Sequence, residues 1–275
     1  MPVTFEKMHG AGNDFVLLDL REQPFELNAA LAAQLADRHT GIGCDQLLVL
    51  RTPASPDHLV RFEVWNADGS RAEQCGNGVR CIGLYLEMRG EAPDHEYTIE
   101  GPVAPVRLQG LGDGQFRASM GVPDFRPGAV PVHLPPSGDG FELQIGEQQY
   151  AIGAVSMGNP HAVLKVPDLA AAPVATLGPL ISAHQGFPRG CNAGFVEIVD
   201  RGQVRLRVFE RGAGETRACG SGACAAAAVL MRNGSLDPQV LVKQVGGDLI
   251  IEWTGEGGPI MMTGPAMHVY QGVLQ

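Results

Sequence analysis

Two cysteines stand 144 residues apart, each directly before a Gly-x-Gly: Cys75-Gly-Asn-Gly and Cys219-Gly-Ser-Gly. At a helix start, unpaired backbone N–H groups and the helix dipole gather positive potential, which favours thiolate over thiol. A side chain with a reference pKa of about 8.5 then becomes a usable base near neutrality. The glycines let their N–H groups approach an anion closely. A carboxylate held between two such helix ends would present its α-carbon to both sulfurs. One sulfur takes the α-proton from one face while the other returns a proton to the opposite face.

The two cysteines belong to a longer repeat, since Val60 to Gly90 and Val204 to Gly234 run in register without a gap. V-R-F-E-V-W-N-A-D-G-S-R-A-E-Q-C-G-N-G stands over V-R-L-R-V-F-E-R-G-A-G-E-T-R-A-C-G-S-G. An alternating strand leads through a small-residue loop to the cysteine, and a helical pattern follows from about Gly76 to Arg89 and from about Gly220 to Arg232. Gly90 and Gly234 suit left-handed C-caps. Ala225-Ala-Ala-Ala-Val-Leu-Met231 and Cys81-Ile-Gly-Leu-Tyr-Leu86 lack a polar face, so both helices are expected to be buried.

Elsewhere 37 glycines and 20 prolines punctuate short strand-like runs such as Val3 to Met8, Phe15 to Leu20, Gln46 to Arg51 and Val60 to Trp65. Asn28 to Arg38 reads as a third, amphipathic helix. Met8-His-Gly-Ala-Gly-Asn13 is echoed more weakly by Val155-Ser-Met-Gly-Asn159-Pro-His161. The expected fold is α/β (α+β): two pseudo-symmetric duplicated domains, each a curled mixed or antiparallel sheet around a central helix, with the active site in the cleft between them. The expected boundaries are residues 1–120, with 264–275 returning to the first half, and 121–263. Gly121 to Gly140 reads as the connector.

At 275 residues the chain is long enough to bury two cores. A net charge of −10 and the lack of a Lys/Arg cluster argue against nucleic acid or an anionic membrane, and favour a small-molecule ligand. No apolar run approaches the length of a membrane span. The start, Met1-Pro-Val-Thr-Phe-Glu-Lys7, reads as a strand rather than a signal peptide, so the expected location is cytoplasmic. Nothing indicates export, so the six cysteines are expected to be free thiols.

Cys81 and Cys224 fall inside the helices and read as core. Cys44 and Cys191 lie in Gly-rich loops with no role that needs a thiol. No Cys-x-x-Cys occurs, and no metal is expected. Gly10-Ala-Gly12 and Gly41-Ile-Gly43 complete neither a dinucleotide nor a P-loop motif and read as turns. Asn13, Gln46, Asn66, Asn77, Asn159, His161, Asn192, Glu210 and Arg211 gather in the same loops, where an Asn, Gly or Asp alone is ordinarily a turn former. Asn66 and Glu210 stand apart, because each lies nine residues before its cysteine at the end of the repeated strand.

Together, Met8-His-Gly-Ala-Gly-Asn-Asp-Phe15, Asn66-Ala-Asp-Gly-Ser70, Gln74-Cys-Gly-Asn-Gly-Val-Arg-Cys81, Gly158-Asn-Pro-His161 and the run from Glu210 to Cys224 resemble the diaminopimelate epimerase family over essentially the whole chain. The resemblance implies a cofactor-independent isomerase that interconverts LL- and meso-2,6-diaminopimelate on the route to lysine and peptidoglycan precursors. It implies that Cys75 and Cys219 are the acid/base pair. Gly76, Asn77, Gly220 and Ser221 would hold the reacting end, and Asn13, Gln46, Asn66, Asn159, Asn192, Glu210 and Arg211 the rest of the substrate. His161 and Glu210 match positions that tune the thiols, a cation favouring thiolate and a carboxylate favouring thiol. The resemblance also implies a homodimer, with Tyr270 at its interface. Gly190-Cys191 before Asn192 departs from the family pattern and leaves that loop's geometry open.

Three other readings compete. A proline or hydroxyproline racemase would also use two facing cysteines, but its small substrate has no distal amino acid for the Asn-rich set and Glu210-Arg211 to anchor. A thiol redox enzyme or cysteine hydrolase would need a His/Asn partner for one nucleophilic cysteine. A non-catalytic amino-acid-binding protein has no use for two activated thiols.

Overall fold

The structure, a computed structural model, describes residues 3–23, 25–73 and 75–274, so Gln74 of the first cysteine motif lies outside it. The chain divides into two compact units, Met1–Ser119 with Thr263–Gln275, and Met120–Met262.

The first unit holds β1 (Val3–Gly10), β2 (Asn13–Asp19), α1 (Ala29–Ala36), β3 (Gln46–Arg51), β4 (Arg61–Asn66), α2 (Gly76–Met88), β5 (Tyr97–Glu100), β6 (Pro105–Gly112) and β7 (Gln115–Ser119). The second holds β8 (Pro136–Ser137), β9 (Gly140–Ile145), β10 (Gln148–Ser156), β11 (Pro160–Lys165), α3 (Val174–Ser182), β12 (Asn192–Asp200), β13 (Gln203–Glu210), β14 (Gly214–Thr216), α4 (Gly220–Arg232), β15 (Gln239–Gln244) and β16 (Gly247–Glu252). β17 (Met261–Pro265) leads back to the first unit, where β18 (Met267–Leu274) lies antiparallel to β1.

The sheets repeat one pairing scheme. In the first, β1–β2 is antiparallel, β2–β3 parallel, β3–β4 antiparallel, β4–β5 parallel and β5–β6 antiparallel. The second follows the same sequence through β10–β11, β11–β12, β12–β13, β13–β15 and β15–β16. Parallel neighbours need a crossover, and α1, α2, α3 and α4 supply the four. The fold is therefore mixed α/β with duplicated halves, each a mixed sheet around a central helix.

Alternation along the strands loads both faces of each sheet. In β2 and β3, Phe15, Leu17, Leu48 and Leu50 face the core around α2, while Val16, Leu18, Leu47 and Val49 face the core under α1. α2 contributes Val79, Cys81, Ile82, Tyr85 and Leu86, all buried. α4 buries Ala223 to Ala228 in an unbroken run, and α3 covers the opposite face with Val174, Leu177 and Ile181. Gly90 and Gly234 end the two central helices with positive φ, 70° and 74°, as a left-handed C-cap requires.

Three elements differ from expectation. The first helix stops at Ala36, because the Asp37 side chain turns to the following N–H groups of His39 and Thr40. The stretch read as a connector is a packed part of the second unit: Val130 and Val132 are buried in its core, and Asp124 bridges to Ser156 in β10. Helix α3, which follows Pro173 and contains Pro179, has no counterpart in the sequence reading.

Candidate functional site

Each marked cysteine is the N-cap of its central helix. Cys75 has φ −139° and ψ 100°, Cys219 has φ −127° and ψ 111°, and in both the sulfur accepts the N–H three residues on, from Gly78 or Gly222, at 3.4 Å. The extended backbone at each cap turns Sγ over the helix start, where unpaired N–H groups concentrate. Glycine is needed here because the helix is pressed onto the sheet. A methyl at Gly78 would come within 2.7 Å of Leu48 Cδ2, and one at Gly222 within 2.9 Å of Val208 Cγ2. Cys75 is 9% exposed and Cys219 4%.

In the first unit, the predicted polar residues collect at one end of neighbouring strands. Ala11 and Gly12, both at positive φ, make the tight turn that delivers Asn13 to the start of β2. There Asn13 Nδ2 reaches Cys75 Sγ at 3.8 Å. Gln46 and Asn66 are paired in register across β3 and β4, and Gln46 Nε2 donates to Asn66 Oδ1 at 2.9 Å. Asn66 Nδ2 in turn donates to Ser70 Oγ at 2.9 Å. Gly76 and Asn77 form the buried first turn of α2. Tyr270 lies apart on β18, opposite Lys7, with its ring edge-on to Phe5 at 6.1 Å and 45% exposed.

The second unit repeats the arrangement with different side chains. Asn159 precedes β11, Asn192 begins β12 and Glu210 ends β13. His161 and Asn192 are in register across the parallel pair. The His161 Nε2–H donates to Asn159 Oδ1 at 2.9 Å, and Asn192 Oδ1 accepts the Arg211 backbone N–H at 2.8 Å. The Arg211 guanidinium donates to Arg189 O at 2.7 Å. Glu210 Oε1 accepts from Thr216 Oγ1 at 2.5 Å. Ser221 Oγ is 3.6 Å from Cys219 Sγ.

The electrostatics correct one expectation and alter another. At Cys219 the helix start does not prevail: burial first, then the Glu210 carboxylate, push the thiol well above its usual range, against the lowering effect of Ser221 and the Gly222 N–H. Cys219 therefore rests as a thiol. His161 carries no charge near neutrality, because burial, reinforced by the Arg211 cation, pulls it down to about 3. It stands in the site as a neutral hydrogen-bond donor rather than a fixed cation.

Two participants escaped the sequence reading. Gln244, at the end of β15, accepts the Cys219 backbone N–H through Oε1 at 2.8 Å. Arg80, fully buried in α2, donates to Asn77 Oδ1 at 2.8 Å and to Gly76 O at 3.3 Å. The residue type at 80 was visible in the motif, but its depth was not. Among the described residues, no three His, Cys, Asp or Glu cluster so as to hold a metal ion, and no helix is long and apolar enough to cross a membrane. A groove of ≈ 250 Å³ beside the C-terminal end of α4, lined in part by Phe125, Ile152, Lys165 and Arg232, contains none of the predicted residues.

The mixed α/β fold built from two such duplicated units recurs in solved structures. A hydroxyproline epimerase from Agrobacterium vitis superposes with a TM-score of 0.73 at 14% identity, with 99% of this chain and 92% of that one covered. A PhzF-family phenazine biosynthesis protein from Bacillus anthracis gives 0.72 at 16%, covering 100% and 99%. At such identities the likeness is one of fold. Residues 5–125 and 153–269 match the family described as diaminopimelate epimerase. The diaminopimelate epimerase of Xanthomonas campestris pv. campestris is 48% identical over 269 residues, 98% of this chain and 95% of that one. That of Chromobacterium violaceum is 46% identical over 275 residues, the full length of both. The chain belongs to the diaminopimelate epimerase family, and with it to the isomerases that epimerise amino acids without pyridoxal phosphate.

Proposed function

We propose that this protein interconverts LL- and meso-2,6-diaminopimelate, with Cys75 and Cys219 as a two-base pair and no cofactor. The observation that carries the reading is the matched cap geometry, one sulfur per unit on a Gly N–H at 3.4 Å, in a chain of this family. In one direction a Cys75 thiolate removes the α-proton, and the C–H electron pair passes into the carboxylate-stabilised carbanion. The Cys219 thiol then gives its proton to the opposite face of the same carbon. Afterwards Cys75 is the thiol and Cys219 the thiolate, so the reverse reaction uses them in exchanged roles.

The Glu210 carboxylate favours the protonated Cys219 that this direction requires. The N–H groups at Gly76, Asn77, Gly220 and Ser221 bind the reacting carboxylate. Asn13, Gln46, Asn66, Asn159, Asn192, Glu210 and Arg211 bind the distal amino-acid end, which a proline-sized substrate lacks. His161 supports the second set through Asn159.

The same reading makes the protein a cytoplasmic homodimer working towards lysine and peptidoglycan precursors. Met267, Val269 and Tyr270, exposed on β18, offer apolar surface on which a second copy would pack. The test is an assay of LL-diaminopimelate and of L-proline in deuterated water with no added cofactor. Deuterium gained at one inverted α-carbon of diaminopimelate, lost in both Cys75→Ala and Cys219→Ala, is the expected result. Inversion by either single variant, or turnover of proline instead, overturns the reading.

A further inference from the structure

Arg80 heads the largest fully buried side chains, and the reaction as proposed leaves it without a part. From the second turn of α2 it runs back to the helix start, as long helical side chains do. Its Nη1 donates to Gly76 O, its Nη2 to Asn77 Oδ1, and its Nε to Pro265 O at 3.2 Å. A methyl on Gly10 would lie 3.3 Å from Nη2, so the guanidinium also abuts the strand end that leads through the Ala11–Gly12 turn to Asn13. Sinking a guanidinium costs free energy that its hydrogen bonds, these three among them, must offset.

The second unit is an internal control. At the offset of 144 it has Cys224 in this place, buried and small. Yet α4 has the same length as α2, 13 residues, and its cysteine caps it with the same 3.4 Å contact. The architecture therefore forms without the arginine. What Arg80 adds is specific to α2: a cation at the level of the first turn, and a clamp on Asn77. The matching Ser221 faces its own cysteine instead, and Glu210 adds a negative charge beside Cys219.

We infer that Arg80 is a positioning residue that makes the start of α2 the dominant seat for the substrate carboxylate, by fixing Asn77 and by adding a buried positive charge to the helix dipole. The inference rests on the proposed function for the identity of that carboxylate, but its main test does not. Iodoacetate and iodoacetamide alkylate a thiolate in the same way: a sulfur–carbon bond forms and iodide leaves. Their rate ratio at one cysteine cancels its reactivity and leaves its preference for a carboxylate-bearing reagent.

In the unaltered protein this ratio, read cysteine by cysteine by peptide mass spectrometry, is expected to be roughly five- to tenfold higher at Cys75 than at Cys219. Arg80→Met, or Arg80→Cys as in the sister unit, should bring the Cys75 value down by a similar factor and leave Cys219 unchanged, while Arg80→Lys retains most of it. With diaminopimelate, Arg80→Met should raise KM about tenfold and change kcat less. Equal ratios at the two cysteines of the unaltered protein overturn the proposal, and so does a folded Arg80→Met that keeps the Cys75 preference. Equal ratios in the unaltered protein would overturn the proposal even if the Met and Cys variants fail to fold. Failure of diaminopimelate as a substrate would remove only the kinetic arm.

Discussion

The Asn13 side-chain nitrogen lies 3.8 Å from the Cys75 sulfur, which gives that sulfur a second donor beside the Gly78 N–H. Both donors favour the charged thiolate over the thiol, and hydrogen bonds to charged groups contribute about 1.5–3 kcal/mol. Asn13→Ala should therefore lower kcat/KM roughly 10- to 100-fold. Steady-state kinetics on diaminopimelate check this, and an unchanged kcat/KM would remove Asn13 from the site.

Glu210 acts in the opposite sense on the other sulfur. Its carboxylate adds to burial in holding Cys219 protonated, so Glu210→Gln should let that thiol ionise at lower pH. Burial remains in the variant, and the thiol should still titrate above its ordinary range. The pH profile of Cys219 alkylation, read by peptide mass spectrometry, reports the shift; a profile that stays put or moves upward contradicts it.

His161 carries a pH signature of its own. Its ring is held far below its usual value, to about 3, so the folded state refuses a proton that the unfolded chain accepts below about 6.5. The stability this neutral ring secures is complete above pH 6.5 and is lost as the pH falls towards 3. One proton changes the unfolding free energy by about 1.4 kcal/mol per pH unit, or about 2 kcal/mol between pH 6.5 and 5. Urea titrations at those two pH values should show this loss in the parent and not in His161→Gln.

Close packing of the helix on the sheet makes Gly78 intolerant of any side chain. Gly78→Ala puts a methyl 2.7 Å from Leu48 Cδ2 and should destabilise the protein by about 1–3 kcal/mol. Gly128, with nothing near its missing Cβ and no positive φ, is the control, and Gly128→Ala should stay within about 0.5 kcal/mol of the parent. Equal midpoints in thermal unfolding would show that α2 can move off the sheet.

Much of this was legible because local chemistry and tertiary role coincide. The Cys-Gly-x-Gly starts, the glycine stops and the unbroken alanine run of α4 each carry one message, and the structure realises both helices from Gly76 and from Gly220. The strands that follow Asn13 and begin at Gln46 were legible as short apolar runs, and the repeated strands ending near Asn66 and Glu210 from their alternation. Helix α3 was hidden because Pro173, Gly178 and Pro179 are poor helix formers that break up its pattern. It forms because Leu177 and Ile181 bury there and Gly178 lets Phe209 approach closely. Gln244 was beyond reach, since only the curl of the sheet brings it to Cys219, 25 residues away. Arg80 sat in a quoted motif, but nothing in an apolar helical pattern tells a buried guanidinium from a solvated one.

The antiparallel pairing of β1 with β18, Val3 against Leu274 through His9 against Met267, joins residues some 260 positions apart. On the ribosome the opening strand therefore emerges with one neighbour, β2, soon available and the other still unsynthesised. Until β18 has emerged, the flank of β1 that will receive it is an open edge of the kind that invites mispairing. The half of the protein that is translated first is thus the half that matures last.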